Sequence, residues 1–214
     1  NQLFLNVAGT HFVADPTNHF GLDGFIGYGK RAIAFDYNGD GWQDLLVTGA
    51  ARPYLYVNNA GQGFTEIGMR AGLTVHYVDV ALADVTGDGR PDLIAETATS
   101  LLLRRRTDAG YAPAVTLASY PTGAFTSVAV GDVTGDRRLD VYAVRSAASS
   151  DLPDLLLVRN ADGTWTRVSV PPTGGTGVAA SMLRVVPWKA DVLVLNGMPV
   201  AGTLQDLRIL ATTP

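Results

Sequence analysis

Three aspartate-rich segments recur along this chain at a constant spacing, and their side chains could bind a cation. AFDYNGDGWQDLLV, LADVTGDGRPDLIA and VGDVTGDRRLDVYA begin their donor sets at Asp36, Asp84 and Asp132, so 48 residues separate each segment from the next. Hard oxygen donors at positions one, three, five, seven and nine suit Ca²⁺, which accepts six to eight oxygen ligands in a flexible shell. The predicted ligands are Asp36, Asn38, Asp40, the carbonyl of Trp42 and Asp44; Asp84, Thr86, Asp88, the carbonyl of Arg90 and Asp92; and Asp132, Thr134, Asp136, the carbonyl of Arg138 and Asp140.

The charge and the glycines of these loops favour a bound ion over a solvated acidic turn. Three carboxylates within nine residues repel one another unless a cation lies between them. Glycine stands at position four of every loop and again at position six of the first two, where a left-handed backbone is cheap. The third loop has Arg137 at position six instead. We therefore expect Ca²⁺ in the first two loops and, because its four side-chain donors are intact, a third ion in the last.

An EF-hand is the nearest alternative, because its loop opens in the same way. It requires a bidentate Glu at position twelve and a helix on each side. Here position twelve is Val47, Ala95 or Ala143, and the apolar runs that follow the loops are short, as in strands. Each loop is therefore expected to join two strands as a calcium-binding hairpin.

A second element alternates with the loops and defines the rest of the repeat. Four segments, beginning at Leu3, Leu55, Leu101 and Leu155, each read as a strand, a glycine-bearing turn and a strand. Four strands in about 48 residues is the size of one β-propeller blade. The sequence thus predicts an all-β chain, a single domain over residues 1–214, with about four four-stranded blades whose inner strands start near residues 31, 79, 127 and 178.

The fourth repeat and the two chain ends depart from the pattern. VVPWKADVLVLNG aligns Asp191 with the last aspartate of the other loops, but Pro187, Trp188 and Lys189 replace the earlier donors, so no ion is expected there. The chain begins with a hairpin (residues 1–14) and ends with an apolar strand. We expect that hairpin to complete the last blade of the same chain or the blade of a neighbour, which would make rings or filaments. An arc of a larger propeller is a further possibility.

These residues resemble the FG-GAP or VCBS repeats of integrin α-chain propellers and of many secreted bacterial proteins. The segments GKRAIAFDYNGDGWQDLLV and FTEIGMRAGLTVHYVDVALADVTGDGRPDLIA are especially similar to the repeats of cartilage-acidic-protein-like proteins, in which an AGL turn precedes the calcium loop. The resemblance implies a calcium-stabilised propeller in an extracellular setting and places the family's calcium ligands at the positions given above.

Composition limits the remaining possibilities. The net charge is −4, and three Ca²⁺ ions would move it to about +2, so the acidic balance reflects ligand supply. No apolar stretch is long enough for membrane insertion, and there is no cysteine for disulfides or zinc thiolates. We expect no nucleic-acid partner. Because such loops saturate at extracellular calcium levels, we expect an extracellular or secreted protein, at the cell surface or in the periplasm.

No constellation in the sequence indicates catalysis. The three histidines lie far apart, and no nucleophile elbow or phosphate-binding glycine loop is present. The run Arg104-Arg105-Arg106 is interpreted as a solvated strand edge. We therefore expect a non-enzymatic module for adhesion, assembly or scaffold recognition, with an unidentified protein or glycan partner. A carbohydrate-binding propeller using Trp42 or Trp165, a filament or ring subunit, and a hydrolase with a carboxylate pair outside the loops are the alternatives.

Overall fold

The computed structural model describes residues 3–15, 29–121, 124–147, 150–170, 177–186, 189–196 and 207–210. Every regular element in these ranges is a β-strand, and every strand pairing is antiparallel. The strands are β1 Phe4–Val7, β2 His11–Ala14, β3 Gly29–Phe35, β4 Asp44–Gly49, β5 Tyr54–Asn58, β6 Phe64–Glu66, β7 Asp79–Ala83, β8 Asp92–Glu96, β9 Ser100–Arg104, β10 Arg106–Thr107, β11 Gly110–Tyr111, β12 Val115–Ser119, β13 Ala124–Gly131, β14 Asp140–Ala147, β15 Ser150–Asp151, β16 Asp154–Arg159, β17 Trp165–Val170, β18 Gly177–Val186, β19 Lys189–Asn196 and β20 Leu207–Leu210. The expectation of an all-β chain is confirmed.

The strands form one sheet for each sequence repeat. The orders are β3-β4-β5-β6 for the first repeat, β7-β8-β9-β12 for the second and β13-β14-β16-β17 for the third, with β15 added to β14. The fourth sheet contains β18-β19-β20. Two small hairpins, β1-β2 and β10-β11, stand apart from these sheets in the described part of the chain. Each calcium-loop segment connects the first two strands of its sheet, as the sequence predicts.

The chain divides into two compact units. The first contains residues 1–76 and 108–110, and the second contains residues 77–107 and 111–214. In the first unit, Leu46, Leu55 and Leu73 are fully buried. Leu73 ends the AGL segment, which folds as a turn because its amide donates to the carbonyl of Gly68 at 2.8 Å. Buried residues of β4 and β5 and this turn together supply the core of the unit.

The second unit has an apolar core shared by two repeats. Ile94 and Leu101 of the second repeat pack in one buried cluster with Val141, Leu155 and Leu157 of the third. All five residues of β8 are buried, as expected for a central strand that is covered on both faces. The second and third repeats therefore bury apolar surface against each other in one continuous core.

Hydrogen bonds also join the first strands of three successive repeats. The Ser127 hydroxyl on β13 donates to the Asp79 carboxylate on β7 at 3.0 Å and accepts from the Ala180 amide on β18 at 3.3 Å. Asp79 further accepts the Val128 amide at 3.2 Å. Both Asp79 and Ser127 are buried, so these bonds give hydrogen-bond partners to polar groups that water does not reach.

The second repeat differs from the sequence interpretation in its outer hairpin. β9 pairs with β12, and the intervening residues 105–114 form an insertion that includes the small β10-β11 hairpin. The prediction that the three arginines form a solvated strand edge is wrong for two of them. Arg104 and Arg106 are buried, and Arg105 is exposed. The Arg104 guanidinium donates to the carbonyls of Ala112 and Tyr111 at 2.9 and 3.2 Å. Carbonyls supplied by the insertion therefore compensate the burial of its charge.

Candidate metal-binding loops

Each of the three loops leaves one strand and enters the next through the same left-handed backbone. Position four is Gly39, Gly87 or Gly135, with φ of 78°, 79° and 80°. Position six has φ of 86° at Gly41, 83° at Gly89 and 68° at Arg137. The third loop thus adopts the conformation of the other two even though an arginine replaces the glycine. The described backbone is therefore the same in all three loops.

The first aspartate of each loop holds this shape through backbone hydrogen bonds. Asp84 accepts the amides of Gly87, Asp88 and Gly89 at 2.7, 3.0 and 2.7 Å. Asp36 and Asp132 accept the equivalent three amides in their own loops at 2.7 to 3.2 Å. These amides lower the pKa of the exposed Asp36 carboxyl, with the Gly41 amide as the largest cause.

The aspartate at position five accepts the amide of the residue at position seven. The amides of Trp42, Arg90 and Arg138 donate to Asp40, Asp88 and Asp136 at 2.8, 3.0 and 2.9 Å. The position-seven carbonyls predicted as ligands therefore lie in a turn that these aspartates close.

The carboxylate at position five has a different side-chain partner in the first and third loops. Asn38 donates to Asp40 at 2.8 Å. Arg138 forms an ion pair with Asp136. The fifth-position carboxylate in the third loop is therefore already paired with a cation, which a Ca²⁺ ion would have to displace.

The last aspartate of each loop is buried and connects the loop to a later strand of its repeat, which is the third strand of the sheet for Asp44 and Asp140 and β10 for Asp92. Asp44, Asp92 and Asp140 have no exposed surface. One carboxylate oxygen accepts an amide from the start of the loop, and the other accepts an amide from beyond it. The donors are Tyr37 and Asn58 for Asp44, Thr86 and Arg106 for Asp92, and Val133 and Arg159 for Asp140, at 2.7 to 3.1 Å.

Burial raises the pKa of these last carboxyls. In Asp44, Asp92 and Asp140 the loss of solvation is the largest cause, and the amide bonds oppose it only in part. The neighbouring carboxylates of Asp40, Asp88 and Asp136 raise the three values further. A buried carboxylate beside another acid favours either a proton or a nearby cation.

The donor chemistry of the loops fits calcium, whereas the side chains are not gathered around one point. Every predicted side-chain donor except Asn38, Thr86 and Thr134 is a carboxylate, and all offer hard oxygen. Within the residues that the structure describes, no three acidic or histidine side chains converge into a metal-binding group. The carboxylates face backbone amides instead. An ion in these loops would require the side chains at positions one, five and nine to move towards one point, where their remaining lone pairs could coordinate it.

The fourth repeat has a different connection. β18 ends at Val186 and β19 begins at Lys189, so two residues join them, whereas eight residues separate β7 from β8. Asp191 lies within β19 and pairs with Leu183 of β18, rather than at the first position of its strand as Asp92 does. Pro187 and Trp188 lie outside the described residues.

The buried role of the last aspartate is the feature that the sequence pattern does not reveal. Sequence reasoning assigns Asp92 to an ion, but its carboxylate also organises Arg106, which is fourteen residues further along the chain. Recurrence of an aspartate as the first residue of each second strand is the available signal, because aspartate is depleted in strands.

Comparisons with known proteins agree with the repeat and the fold. Residues 36–95 match the model of the FG-GAP-like repeat. An Agrocybe aegerita lectin that recognises non-reducing terminal N-acetylglucosamine is similar in structure, at 19% identity and a TM-score of 0.53 over 84% of this chain and 51% of that one. BBS1N, solved in complex with ARL6DN, matches at 13% identity and a TM-score of 0.55 over 82% of this chain and 53% of that one.

The chain spans about half the length of these two propeller-like structures. Comparison with curated proteins gives no match. At such low identities the structural likeness establishes the fold and nothing further. The resemblance to FG-GAP repeats is confirmed by the family match, which covers residues 36–95.

Proposed function

We propose that this chain is a calcium-stabilised, non-enzymatic β-propeller module of an extracellular protein that serves adhesion, assembly or scaffold recognition. The observation that carries the proposal is the threefold recurrence of one loop backbone, each loop ending in a fully buried aspartate. A conformation that survives the replacement of glycine by Arg137 is a property of the repeat and not of a single turn.

Calcium would supply the charge that these loops lack. Asp36, Asp40 and Asp44 place three negative charges in nine residues, and the last of them is buried. When bound, a divalent ion neutralises these charges and fixes the hairpin between the first two strands of its sheet. Binding to the native state alone at about 100 times the dissociation constant adds about 2.7 kcal/mol of stability. The equivalent residues of the other two loops would hold the second and third ions.

The proposed setting follows from the affinity that such loops are expected to have. Calcium sites on extracellular modules are commonly weak and saturate at millimolar concentration. FG-GAP repeats are typically extracellular, and residues 36–95 carry one. The described part of the chain contains no helix that could cross a membrane.

Thermal unfolding in millimolar Ca²⁺, in Mg²⁺ and with excess chelator tests the proposal. We expect Ca²⁺ to raise Tm by several degrees and Mg²⁺ to raise it less, because Mg²⁺ requires a tighter octahedral shell. Asp88→Ala should reduce the calcium-dependent rise, whereas Asp162→Ala, in an exposed turn outside the loops, should leave it unchanged. Equal Tm values in Ca²⁺ and chelator would overturn the proposal.

The arrangement of the repeats is proposed from the strand count. Within the described residues the fourth sheet has three strands and the β1-β2 hairpin joins no larger sheet. We infer a four-blade arrangement in which this hairpin completes the last blade of its own chain or of a neighbour. Light scattering distinguishes the cases, since a monomer indicates closure within one chain and a polymer indicates strand exchange. The two structural neighbours are about twice as long, so a monomer whose scattering profile shows an open arc would instead indicate part of a larger propeller.

Carbohydrate binding is the second candidate function. One structural neighbour is a lectin, and Trp42 is 46% exposed. Its ring packs on Gly61 so closely that a Cβ atom added to this glycine would lie 3.2 Å from the indole. The indole is therefore held against the turn of its own repeat, which leaves its other face able to stack on a sugar ring. Glycan-array binding that persists in Trp42→Ala would count against this role.

A further inference from the structure

Arg137 occupies a backbone position that is costly for any residue with a side chain. Its φ of 68° lies in the left-handed region, where the first two loops have glycine. That conformation costs a non-glycine residue roughly 1–2 kcal/mol. Strain retained at one copy of a repeat indicates that the side chain there has a use which glycine could not supply.

The Arg137 side chain lines a pocket between the second and third loops of the second compact unit. The pocket has a volume of about 180 Å³, and its charged and polar lining includes Arg138, Arg159, Asp84 and Asn160. Arg137 is exposed, and among the described residues no side chain or carbonyl is within hydrogen-bond or ion-pair distance of its guanidinium. It is thus an exposed cation among the residues that line this concave surface.

The other charges around the pocket are already engaged. Arg138 is paired with Asp136, and its Nε donates to the Arg159 carbonyl at 3.0 Å. The Arg159 guanidinium lies 5.0 Å from the Trp165 ring centre and donates to the Gly163 carbonyl. Asp84 is the acidic group of the lining, and three backbone amides take up its oxygens. Three arginines against the carboxylates of Asp84 and Asp136 leave these residues with an excess of one positive charge, and Arg137 is the arginine without an acidic partner among the described residues.

We propose that this arginine pocket binds the carboxylate of an acidic sugar of the uronic acid class. A planar guanidinium fork binds a carboxylate in a bidentate manner, and Arg137 is available to do so. The volume is below the roughly 300 Å³ of sites for drug-sized ligands, so one small ring fits better than an extended peptide. The remaining lining, which includes Thr86 and Asn160, is polar and suits sugar hydroxyls.

The contact of Arg137 with a carboxylate does not require calcium, because no guanidinium group is a proposed ligand. Asp84 and Thr86 of the lining are proposed ligands, and Arg138 is paired with Asp136, so the titration is run both in calcium and in chelator. Glucuronate binding in chelator tests the pocket separately from calcium-dependent stability.

NMR titration of the 214-residue chain with glucuronate, glucose and acetate tests the site. We expect saturable shifts at the third loop with glucuronate, much weaker binding of acetate, and none with glucose. Arg137→Gly restores the residue of the other loops, so it should not lower Tm but should weaken glucuronate binding about ten-fold or more. Arg105→Ala removes one exposed positive charge elsewhere and should leave the affinity unchanged.

Four results would overturn the proposal. Equal binding of glucose would remove the role of the carboxylate, and equal binding of acetate would remove the role of the sugar. Unchanged affinity in Arg137→Gly would show that Arg137 does not contact the ligand. Binding of an acidic peptide with glucuronate inactive would assign the pocket to a protein partner instead.

Discussion

The second and third loops share their backbone and differ at the residue that should control it. They lie in one compact unit, with the first aspartate of each accepting three amides and the last aspartate buried beneath the turn. Position six is Gly89 in one and Arg137 in the other, with φ of 83° and 68°. The carboxylate acceptors therefore determine the loop conformation, and glycine only lowers its cost.

The two loops also differ in the burial of their first aspartate. Asp132 is 8% exposed, whereas Asp84 is half-buried. Asp136 and Asp88 both accept the amide of the residue at position seven, and Asp136 also forms an ion pair with Arg138. The first aspartate of the third loop is thus the less accessible to water.

Removing the last aspartate should give the largest effect and should affect both loops alike. Asp92→Ala leaves the amides of Thr86 and Arg106 without their acceptor, and Asp140→Ala does the same to Val133 and Arg159. We expect each to lower the free energy of unfolding by about 3 kcal/mol, measured by urea denaturation in chelator. Asp88→Ala, which removes one exposed acceptor, is the control. A loss for Asp92→Ala no larger than the control's would show that the buried bonds carry little stability.

The calcium response should disappear in acid. Burial raises the pKa of Asp92 and Asp140 above 3.8, so in chelator their folded forms favour the proton. Their contribution to stability is therefore present below the unfolded pKa and is lost as pH rises through the folded value. Calcium requires the ionised form and acts in the opposite sense. Tm measured from about pH 4 to about pH 8 should show a calcium-dependent rise that grows with pH. A rise that is constant over this range would mean that these carboxyls are not ligands.

Removing the first aspartate should destabilise the third loop more than the second. Asp84→Ala should cost about 1 kcal/mol, because water can reach the three released amides in an exposed loop. Asp132→Ala should cost more, about 2 kcal/mol, because Asp132 is buried. Urea denaturation of both variants in chelator gives the comparison. Equal losses would mean that burial does not distinguish the loops.

Exchanging the residues at position six between the two loops should give the smallest changes in stability, and the two changes should have opposite signs. Gly89→Arg is expected to destabilise by about 1 kcal/mol, since a side chain disfavours the left-handed backbone. Arg137→Gly should stabilise by less, because glycine also increases the freedom of the unfolded chain. Tm values of the two variants and of the double exchange provide the measurement. A destabilised Arg137→Gly would indicate that the arginine side chain itself supports the fold.

The sequence predicts the local part of this structure well. Alternate oxygen donors and position-four glycines indicate the loop, and the short apolar runs after it indicate strands, because both signals are contained within about fourteen residues. The bond from Asp92 to Arg106 and the burial of Arg104 depend on residues brought together by the sheet. Residue propensities and hydrophobic periodicity do not describe contacts between residues that are distant in sequence. The run of arginines therefore looks solvated in sequence while the fold buries two of its members.

The pocket around Arg137 illustrates the same limit. Arg137 is visible in the sequence as a departure from the glycine pattern, but Arg159 lies over twenty residues away and reaches the same concave surface through the outer hairpin of its repeat. The sequence alone can thus reveal which residue departs from a repeat. Only the folded structure shows which residues lie next to it.

The hydrogen bonds from Asp79 through Ser127 to Ala180 have a consequence for how the second unit unfolds. Repeat proteins behave approximately as one-dimensional arrays, in which each module has its own stability and a coupling to its neighbours. A single hydroxyl that bonds to the modules on both sides contributes to two couplings at once. Loss of order in the third repeat would weaken the second and the fourth together, so the array should melt in one concerted transition with few partly folded species.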